Sequence, residues 1–392
     1  MRRVTAAPES LNGLRRGNLS RILQFVHLRG ALSRAALTEL TGLNRSTIAD
    51  LVGELVELGA VAEHAPSPIG RVGRPSPMVA PDPRILAVAA NPEVDALTVA
   101  AVGLDQRVAA HVRIERDALL SPEETAALVA ETAAGWMGGD LAGHRVVATG
   151  LAVPGLVRAS DGMVRDAPHL GWRDAPLGEI VAAATGTPVA VANDATLGAT
   201  AEHLFGAGRG IDDLVYLNGG ASGIGGGLIV GGVPVAGAGG YAGEFGQNRP
   251  GIRATADRHA PEGVLEDEVS RARLLAVVGL TAADEPTLAA ALAAAGTPDA
   301  HAEVARQRRI LATALANAAN VLNPAAIVLG GFLATLAEDD VEGLLAAVRA
   351  QAMPACAEDL VLLPAALAED RLLIGAAEAA FAGILADPAS LG

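Results

Sequence analysis

The sequence predicts an α/β protein made of a small N-terminal helix-turn-helix head and a larger body. Two short amphipathic helices flank a glycine turn at Gly42, an arrangement typical of a helix-turn-helix. Strand-like and helix-like segments alternate after Pro83, which favours an α/β body. Glycine and polar motifs repeatedly follow the strand-like segments, at the position where open α/β sheets bind their ligands.

Helical spacing and capping residues define the head. Four apolar residues within 19–26 recur at i, i+3, i+4 and i+7 and predict a first helix. Ser33 suits the N-cap of a second helix that ends at Gly42. Asn44 suits the N-cap of a third helix that ends at Gly59. The second and third helices are therefore the predicted helix-turn-helix pair.

The first turn of the third helix presents Arg45, Ser46 and Thr47. N-terminal residues of a recognition helix meet base edges and phosphates in the major groove. We therefore expect these three residues to contact DNA. Asp50 lies on the same helix and could instead discriminate against wrong bases.

Two strand-like segments, residues 61–63 and 78–80, predict a β-ribbon behind these helices. Its tip, residues 70–75, carries Arg71 and Arg74 among glycines. A narrow minor groove has a negative potential that attracts arginine, so we expect both arginines to bind DNA and the head to be a winged helix. The alternative is a three-helix interaction module with a solvated basic loop.

The charge distribution also favours a head that binds nucleic acid. Residues 1–84 hold 11 Arg and 7 acidic residues, a net charge of +4, whereas the whole chain carries −15, which leaves −19 on the rest. An acidic body repels phosphate, so the contact with nucleic acid is confined to the head. Because +4 is modest, we expect a homodimer, or a tetramer, that presents paired heads to paired half-sites.

Length and composition predict a soluble cytoplasmic protein of two or three domains. The 392 residues are 51% apolar but only 2% aromatic, so Ala, Val, Leu and Ile must form the core. The single Cys356 leaves no internal disulfide. The first 20 residues lack the apolar run of a signal peptide. Asparagines and Pro324 interrupt the apolar segment 310–336, which indicates a buried helix and strand rather than a membrane span.

Apolar segments after Pro83 predict the secondary structure of the body. Strands are expected at residues 85–90, 96–102, 108–114, 146–153, 189–192, 214–217 and 327–329, and a helix at 125–136. A glycine run at 219–227 is expected to shape a tight turn. The Ala-rich C-terminal third predicts helices around the last strand.

Five motifs, in their order along the chain, resemble the ROK family (repressors, open reading frames and sugar kinases), specifically its transcription-factor branch of the N-acetylglucosamine and xylose repressor type. The motifs are Gly150–Gly155, Ala192–Asp194, Gly223–Gly225, Ala242–Gly246, and Asn323–Pro324 with Gly330–Gly331. The resemblance implies two actin-like lobes with a sugar pocket between them.

The same resemblance implies the domain boundaries. The winged helix-turn-helix would span residues 1–82. The N-terminal lobe would span 83–193, completed by the C-terminal helix 375–392, and the C-terminal lobe would span 194–374.

The resemblance also implies which residues bind the sugar: Asn193, Asp194, Glu244 and Glu266. In kinases of the family the residue that matches Asp194 is the catalytic base. Carboxylates and amides suit sugar hydroxyls because they bond them at fixed geometry. Gln247 replaces the usual histidine and can still bond a hydroxyl through its amide. The alternative for Asn193 and Asp194 is turn or helix-cap chemistry.

The phosphate loop of the family's kinases is replaced here. Asn91, Glu93, Val94 and Asp95 stand where those kinases have small residues that bring backbone N–H groups close to phosphate. Two carboxylates and a valine should repel ATP and block that approach. We therefore expect no enzymatic activity, no catalytic residue and no cofactor.

The family's zinc-binding cysteine cluster is also missing. Residues 252–264 contain no cysteine, and His259 is the only histidine there. Since structural zinc is typically held by four Cys or His ligands, we expect no metal. The region would then be held by ordinary packing, or be mobile.

The sequence therefore favours a transcriptional regulator, a repressor of carbohydrate-use genes that binds operator DNA and a monosaccharide or sugar phosphate, with no membrane contact. One alternative is an active sugar kinase with a DNA-binding head. Another is a constitutive DNA-binding factor with a vestigial pocket.

Overall fold

The computed structural model describes residues 11–65, 76–252, 254–260 and 263–392. Residues 11–65 and 76–81 form the head. Its elements are α1 (Leu11–Arg29), β1 (Leu32–Ser33), α2 (Arg34–Thr41), α3 (Arg45–Glu57), β2 (Val61–His64) and β3 (Met78–Pro81).

Local hydrogen bonds set the ends of the two short helices as predicted. Ser33 Oγ accepts a hydrogen bond from the Ala36 N–H (3.1 Å), and Gly42 ends α2 in the left-handed region at φ 73°. Asn44 Oδ1 accepts from the Thr47 N–H (2.9 Å) at the start of α3. The helix-turn-helix pair is therefore confirmed.

The predicted β-ribbon pairs antiparallel. β3 lies between β1 and β2, with Val61 opposite Pro81 and Leu32 opposite Val79. The proposed tip with Arg71 and Arg74 lies outside the described residues.

The first part of the body is built on one five-stranded sheet, the first sheet. Its strand order is β11-β7-β4-β5-β6, with β4, β5 and β6 antiparallel and β7 and β11 parallel to β4. The elements are β4 (Ile85–Pro92), β5 (Ala96–Gly103), β6 (Val108–Glu115), α4 (Pro122–Met137), β7 (Arg145–Val153), β8 (Leu156–Val157), β9 (Val164–Ala167), β10 (Trp172–Ala175), α5 (Leu177–Thr185) and β11 (Val189–Asn193).

The second sheet repeats this topology. Its order is β14-β13-β12-β15-β16, again three antiparallel strands followed by two parallel ones. The elements are α6 (Asp194–Phe205), β12 (Leu214–Gly220), β13 (Gly223–Val230), β14 (Val233–Pro234), α7 (Leu265–Glu268), α8 (Arg271–Val277), α9 (Glu285–Ala294), α10 (Pro298–Leu322), β15 (Ala326–Gly331), α11 (Phe332–Glu338), α12 (Val341–Arg349), α13 (Pro354–Ala357), β16 (Val361–Pro364) and α14 (Arg371–Ala386). The predicted strands and the predicted helix are confirmed, as is the actin-like α/β fold.

The glycine run 219–227 lies mostly in strands and does not form a simple turn. A Cβ on Gly225 would collide with the Ala195 side chain, and a Cβ on Gly227 with that of Ala199. Glycine at these positions lets α6 lie directly on β13.

The last helix, α14, packs on the first sheet and on α6. A Cβ on Gly150 would collide with the Ala376 backbone carbonyl, and a Cβ on Gly375 with that of Leu197. Both glycines therefore allow an unusually close approach. Buried residues of α14 share one hydrophobic core with those of α1, so the core of the head continues into the body.

No helix among the described residues is long and apolar enough to cross a membrane. The apolar segment 310–336 forms part of α10, then β15 and most of α11, as predicted.

Candidate functional site

Asn193 and Asp194 stand where β11 ends and α6 begins. The Asn193 side-chain oxygen accepts a hydrogen bond from the Thr196 N–H (3.0 Å), and its amide nitrogen donates to the Gly155 carbonyl (3.1 Å). Asn193 thus caps α6, which is the alternative that the sequence left open. Its second amide hydrogen is not used in these bonds and can donate to a ligand.

The Asp194 carboxyl group lies in an environment that favours its neutral form. Burial raises the pKa of Asp194 to about 7, and the nearby carboxylates of Glu244 and Glu93 act in the same direction. The Ala195 N–H, 2.7 Å from Oδ1, and the Arg371 guanidinium oppose the shift. A carboxyl group with a pKa near neutrality can accept or donate a proton at a ligand hydroxyl.

Glu244, Gln247 and Glu266 form the other side of the candidate site. Gln247 Nε2 donates to Glu266 Oε1 (2.6 Å), and the Ile224 N–H donates to Glu266 Oε2 (3.1 Å). Burial, followed by the charge of Glu266, raises the pKa of Glu244. Glu266 is therefore fixed in place from two elements, β13 and the turn that carries Gln247.

The two halves meet at the start of β13. A Cβ added to Gly223 would collide with the Glu266 carboxylate, and one added to Gly225 would lie 3.9 Å from Asp194 Oδ1. The structure thus brings Asp194 and Glu266 together beside the predicted glycine motif. Glu244 is close enough to raise the pKa of Asp194 and so lies at the same place. A concentration of carboxylate acceptors suits a ligand that donates several hydrogen bonds, such as a polyol.

Residues 91–95 form the hairpin between β4 and β5. Asn91 is buried and donates to the Ala152 carbonyl (2.8 Å). Arg113 on β6 forms ion pairs with both Glu93 and Asp95. Arg113 therefore offsets part of the negative charge on which the expected repulsion of ATP rested. The Glu93 N–H bonds the Ala96 carbonyl (2.8 Å) and is not free for a phosphate.

Sequence reasoning missed Arg371, the first residue of α14. Arg371 is 5% exposed, and its guanidinium donates to Asn218 on β12 (3.1 Å) and to Glu285 on α9 (2.9 Å). The Tyr216 hydroxyl donates to the same Asn218 oxygen (3.1 Å). Arg371 thereby ties α14 to the second sheet, close enough to Asp194 to lower its pKa. The only indication of this role in the sequence is a single arginine at the start of an apolar helix.

Helix α1 of the head is held against the body by buried polar contacts. His27, 1% exposed, places Nε2 2.7 Å from Glu378 Oε2 and Nδ1 2.7 Å from the Leu104 carbonyl. The Ser20 hydroxyl donates to the Leu385 carbonyl (2.7 Å). Four residues, Ser20 and His27 of α1 and Glu378 and Leu385 of α14, thus link the head to the body.

The predicted DNA-contacting residues of α3 occupy its first turn. Arg45 and Ser46 are exposed, and Thr47 is half-buried. The Ser46 hydroxyl donates to Asn44 Oδ1 (2.7 Å) and so supports the cap. Arg45 is the charged side chain of this turn that faces solvent.

Comparison with known proteins gives one family. A family model described as ROK family matches residues 94–382. The glucokinase of Halalkalibacterium halodurans is 31% identical over 261 residues, which cover 60% of this chain and 78% of that protein. The xylose repressor of Caldicellulosiruptor bescii is 27% identical over 270 residues, which cover 63% of this chain and 62% of that protein.

The likeness to solved structures extends into the head. A crystal structure described as a ROK family transcriptional regulator, homologous to the E. coli MLC protein, matches with a TM-score of 0.75 at 24% identity. The match covers 95% of this chain and 98% of that one. At this identity the likeness shows the shared fold.

The raised pKa of Asp194 predicts a pH-dependent effect on stability. The ordinary pKa is 3.8 and the folded value about 7, so between these values the folded protein retains a proton that the unfolded chain has lost. The stability from Asp194 is therefore complete at low pH and is lost as the pH rises through 7. Asp194→Asn should therefore have a higher free energy of unfolding than the parent. The difference should grow by up to about 1.4 kcal/mol for each pH unit between pH 4 and 7.

Urea unfolding at several pH values measures this difference. Asp161→Asn is the control, because Arg158 lowers the pKa of Asp161 from its ordinary value of 3.8, and the difference of this variant from the parent should therefore stay constant between pH 4 and 7. A difference between Asp194→Asn and the parent that does not change with pH would contradict the assignment.

Proposed function

The chain belongs to the ROK family, and on that premise we propose that it is a sugar-responsive transcriptional regulator, a repressor of carbohydrate-use genes. Its winged-helix head, residues 1–82, binds operator DNA. A monosaccharide or sugar phosphate binds between an N-terminal lobe (83–193 with 375–392) and a C-terminal lobe (194–374). The observation that carries the proposal is the pair of contacts made by α14. Its Arg371 bonds Asn218 near the carboxylate-rich site, and its Glu378 bonds His27 of the head.

The proposed sugar contacts are Asn193, Asp194, Glu244, Gln247 and Glu266. Sugar hydroxyls are donors, and this site supplies carboxylate acceptors whose charged forms are destabilised by burial and by one another. A hydroxyl that donates to Asp194 or Glu244 would stabilise the charged carboxylate, which burial makes unfavourable in the free protein. This stabilisation favours binding of the sugar. Because relatives include a glucokinase and a xylose repressor, glucose and xylose are the first ligands to test.

The proposed signal runs along α14. Closure of the lobes around a sugar would move the second sheet, to which Arg371 is bonded through Asn218 and Glu285. The same helix holds His27 of the head through Glu378. In a homodimer, a shift of both heads would change their spacing on paired half-sites. A coupling of about 1–3 kcal/mol between the two ligands is typical of such regulation.

A sugar kinase with a DNA-binding head is the second candidate. The pKa of about 7 at Asp194 is favourable for a general base. Against it stands the Glu93 N–H of the hairpin 91–95, which is already bonded to the Ala96 carbonyl. A phosphate requires free backbone donors, and this N–H cannot serve as one.

We expect glucose, xylose or another monosaccharide to raise the melting temperature by several degrees, because a ligand at about 100 times its Kd stabilises the native state by about 2.7 kcal/mol. With ATP added, a coupled ADP assay should show no turnover above background. ADP release that Asp194→Asn abolishes would establish the kinase instead. If no sugar or sugar phosphate in the panel raises the melting temperature, the sensor function is wrong.

The proposed DNA contacts are Arg45, Ser46, Thr47, Arg71 and Arg74. We expect Arg45→Ala to weaken binding to duplexes selected from a random library by about 5- to 150-fold and to change the preferred sequence, since one good base contact contributes about 1–3 kcal/mol. Arg107→Ala, an exposed arginine of the body, is the control. Equal affinity of both variants and the parent in a gel-shift assay would remove the assignment of α3.

We expect Glu378→Ala to uncouple the sugar from DNA binding. The variant should bind sugar like the parent, but the ratio of operator affinities without and with sugar should fall towards one, because His27 loses its buried partner. Asp387→Asn removes only the exposed pair with Arg16 (3.9 Å) and should leave the ratio unchanged. An unchanged ratio in Glu378→Ala would exclude this route.

A further inference from the structure

The segment where the family resemblance implies a zinc site has a different donor set. Residues 252–264 lack cysteine, and Cys356, the only cysteine of the chain, lies on α13. The described residues hold no group of three or more His, Cys, Asp or Glu side chains that could bind a metal ion. His259 is exposed and contributes its backbone N–H, rather than its ring, to the local structure. The residues here do not fit zinc.

Arg306 of α10 stands at the centre of this segment instead. It is 4% exposed, and all five of its N–H groups donate. Two bonds go to the Glu303 carboxylate (both 2.8 Å), two go to Glu268 (2.9 Å to the side chain and 2.7 Å to the backbone carbonyl), and one goes to the Asp257 carbonyl (2.8 Å). A guanidinium has no further donor to offer.

Glu268 completes this set of contacts, which we call the clamp (Arg306, Glu268, Glu303 and Gln307). Its carboxylate is fully buried and accepts hydrogen bonds from the N–H groups of His259 and Ala260 (3.0 and 2.9 Å). Burial opposes the charged form, but the backbone donors and Arg306 outweigh it and lower the pKa of Glu268.

Gln307 extends the clamp along the chain. Its side chain accepts from the Ser270 N–H (3.1 Å) and donates to the Ser270 carbonyl (3.1 Å) and to Glu303 (2.8 Å). Arg306 and Gln307 of α10 therefore bond the backbone at residues 257, 268 and 270. Glu268, which Arg306 bonds, in turn holds the backbone at residues 259 and 260.

We propose that the clamp replaces a metal ion as the device that positions Glu266 for ligand binding. Glu266 and Glu268 share α7, a helix of four residues, and one turn of helix is not stable by itself. The orientation of Glu266, and with it the bonds to Ile224 and Gln247, therefore depends on the anchoring of Glu268 by Arg306. Arg306 is a positioning residue, and this inference rests on the proposed function only in assigning Glu266 to the ligand.

Hydrogen–deuterium exchange of the full chain, read on peptides that cover 254–260 and 220–228, tests the clamp without any sugar. Arg306→Met should speed exchange at His259, Ala260 and Ile224 at least tenfold. Arg309→Met on the same helix breaks only a pair with Asp257 at an arginine that is 57% exposed, and should exchange like the parent. EDTA should change neither exchange nor melting temperature of the parent.

Arg306→Lys keeps the charge with three donors in place of five, and should give an intermediate exchange rate if the methionine variant does not fold. Parental exchange in Arg306→Lys and Arg306→Met would overturn the clamp. Faster exchange of the parent in EDTA, or about one zinc per chain in the purified protein, would overturn the replacement of the metal.

A second experiment measures the affinity of the parent and the variants for glucose and xylose by calorimetry. Affinity should fall at least tenfold in Arg306→Met and stay parental in Arg309→Met. Faster exchange at 254–260 with unchanged exchange at Ile224 would refute the positioning of Glu266. If the parent binds no sugar in the wider panel, the proposed function fails, whereas the exchange results still decide the clamp.

Discussion

The position of α14 is the constraint on which the rest of the structure depends. This helix can lie close to the first sheet and to α6 because Gly150 and Gly375 leave room for backbone carbonyls. Its first residue, Arg371, reaches the second sheet, and Glu378 bonds the buried His27 of the head. Close-packed interiors rearrange between discrete states rather than deform continuously. A shift of α14 would therefore change its contacts with both sheets and with the head together.

Two groups of carboxylates, one half-buried and one buried, show opposite electrostatics, and the difference separates the proposed ligand site from the clamp. Asp194 and Glu244 have raised pKa values because burial is not offset by a dedicated cation. Glu268 and Glu303 are more deeply buried, yet their pKa values are lowered because Arg306 faces both of them. An unfavourable charge that the fold retains is typical of a site whose partner arrives with the ligand. A paired charge needs no ligand.

Much of the fold and part of the candidate site could be predicted from the sequence, because the interactions concerned are local. Ser33, Gly42 and Asn44 set helix ends through bonds to residues two to four positions away or through backbone conformation. Apolar runs identified all five strands of the first sheet and two of the second, β12 and β15, because a buried strand needs no distant information. The order of short motifs indicated the two-lobed fold and led to Asp194 and Glu266, which the structure brings beside the same glycine motif.

Only the tertiary structure decided which distant groups meet. Arg306 pairs with Glu268 across 38 positions and Arg371 with Glu285 across 86. No periodicity marks such pairs, because their geometry depends on how α10 and α14 pack. The same holds for the glycine run 219–227, whose composition indicates a turn but whose place in β13 follows from the contact with α6. Residue type thus determined the elements and the candidate chemistry, whereas packing determined which carboxylates meet an arginine of their own and which do not.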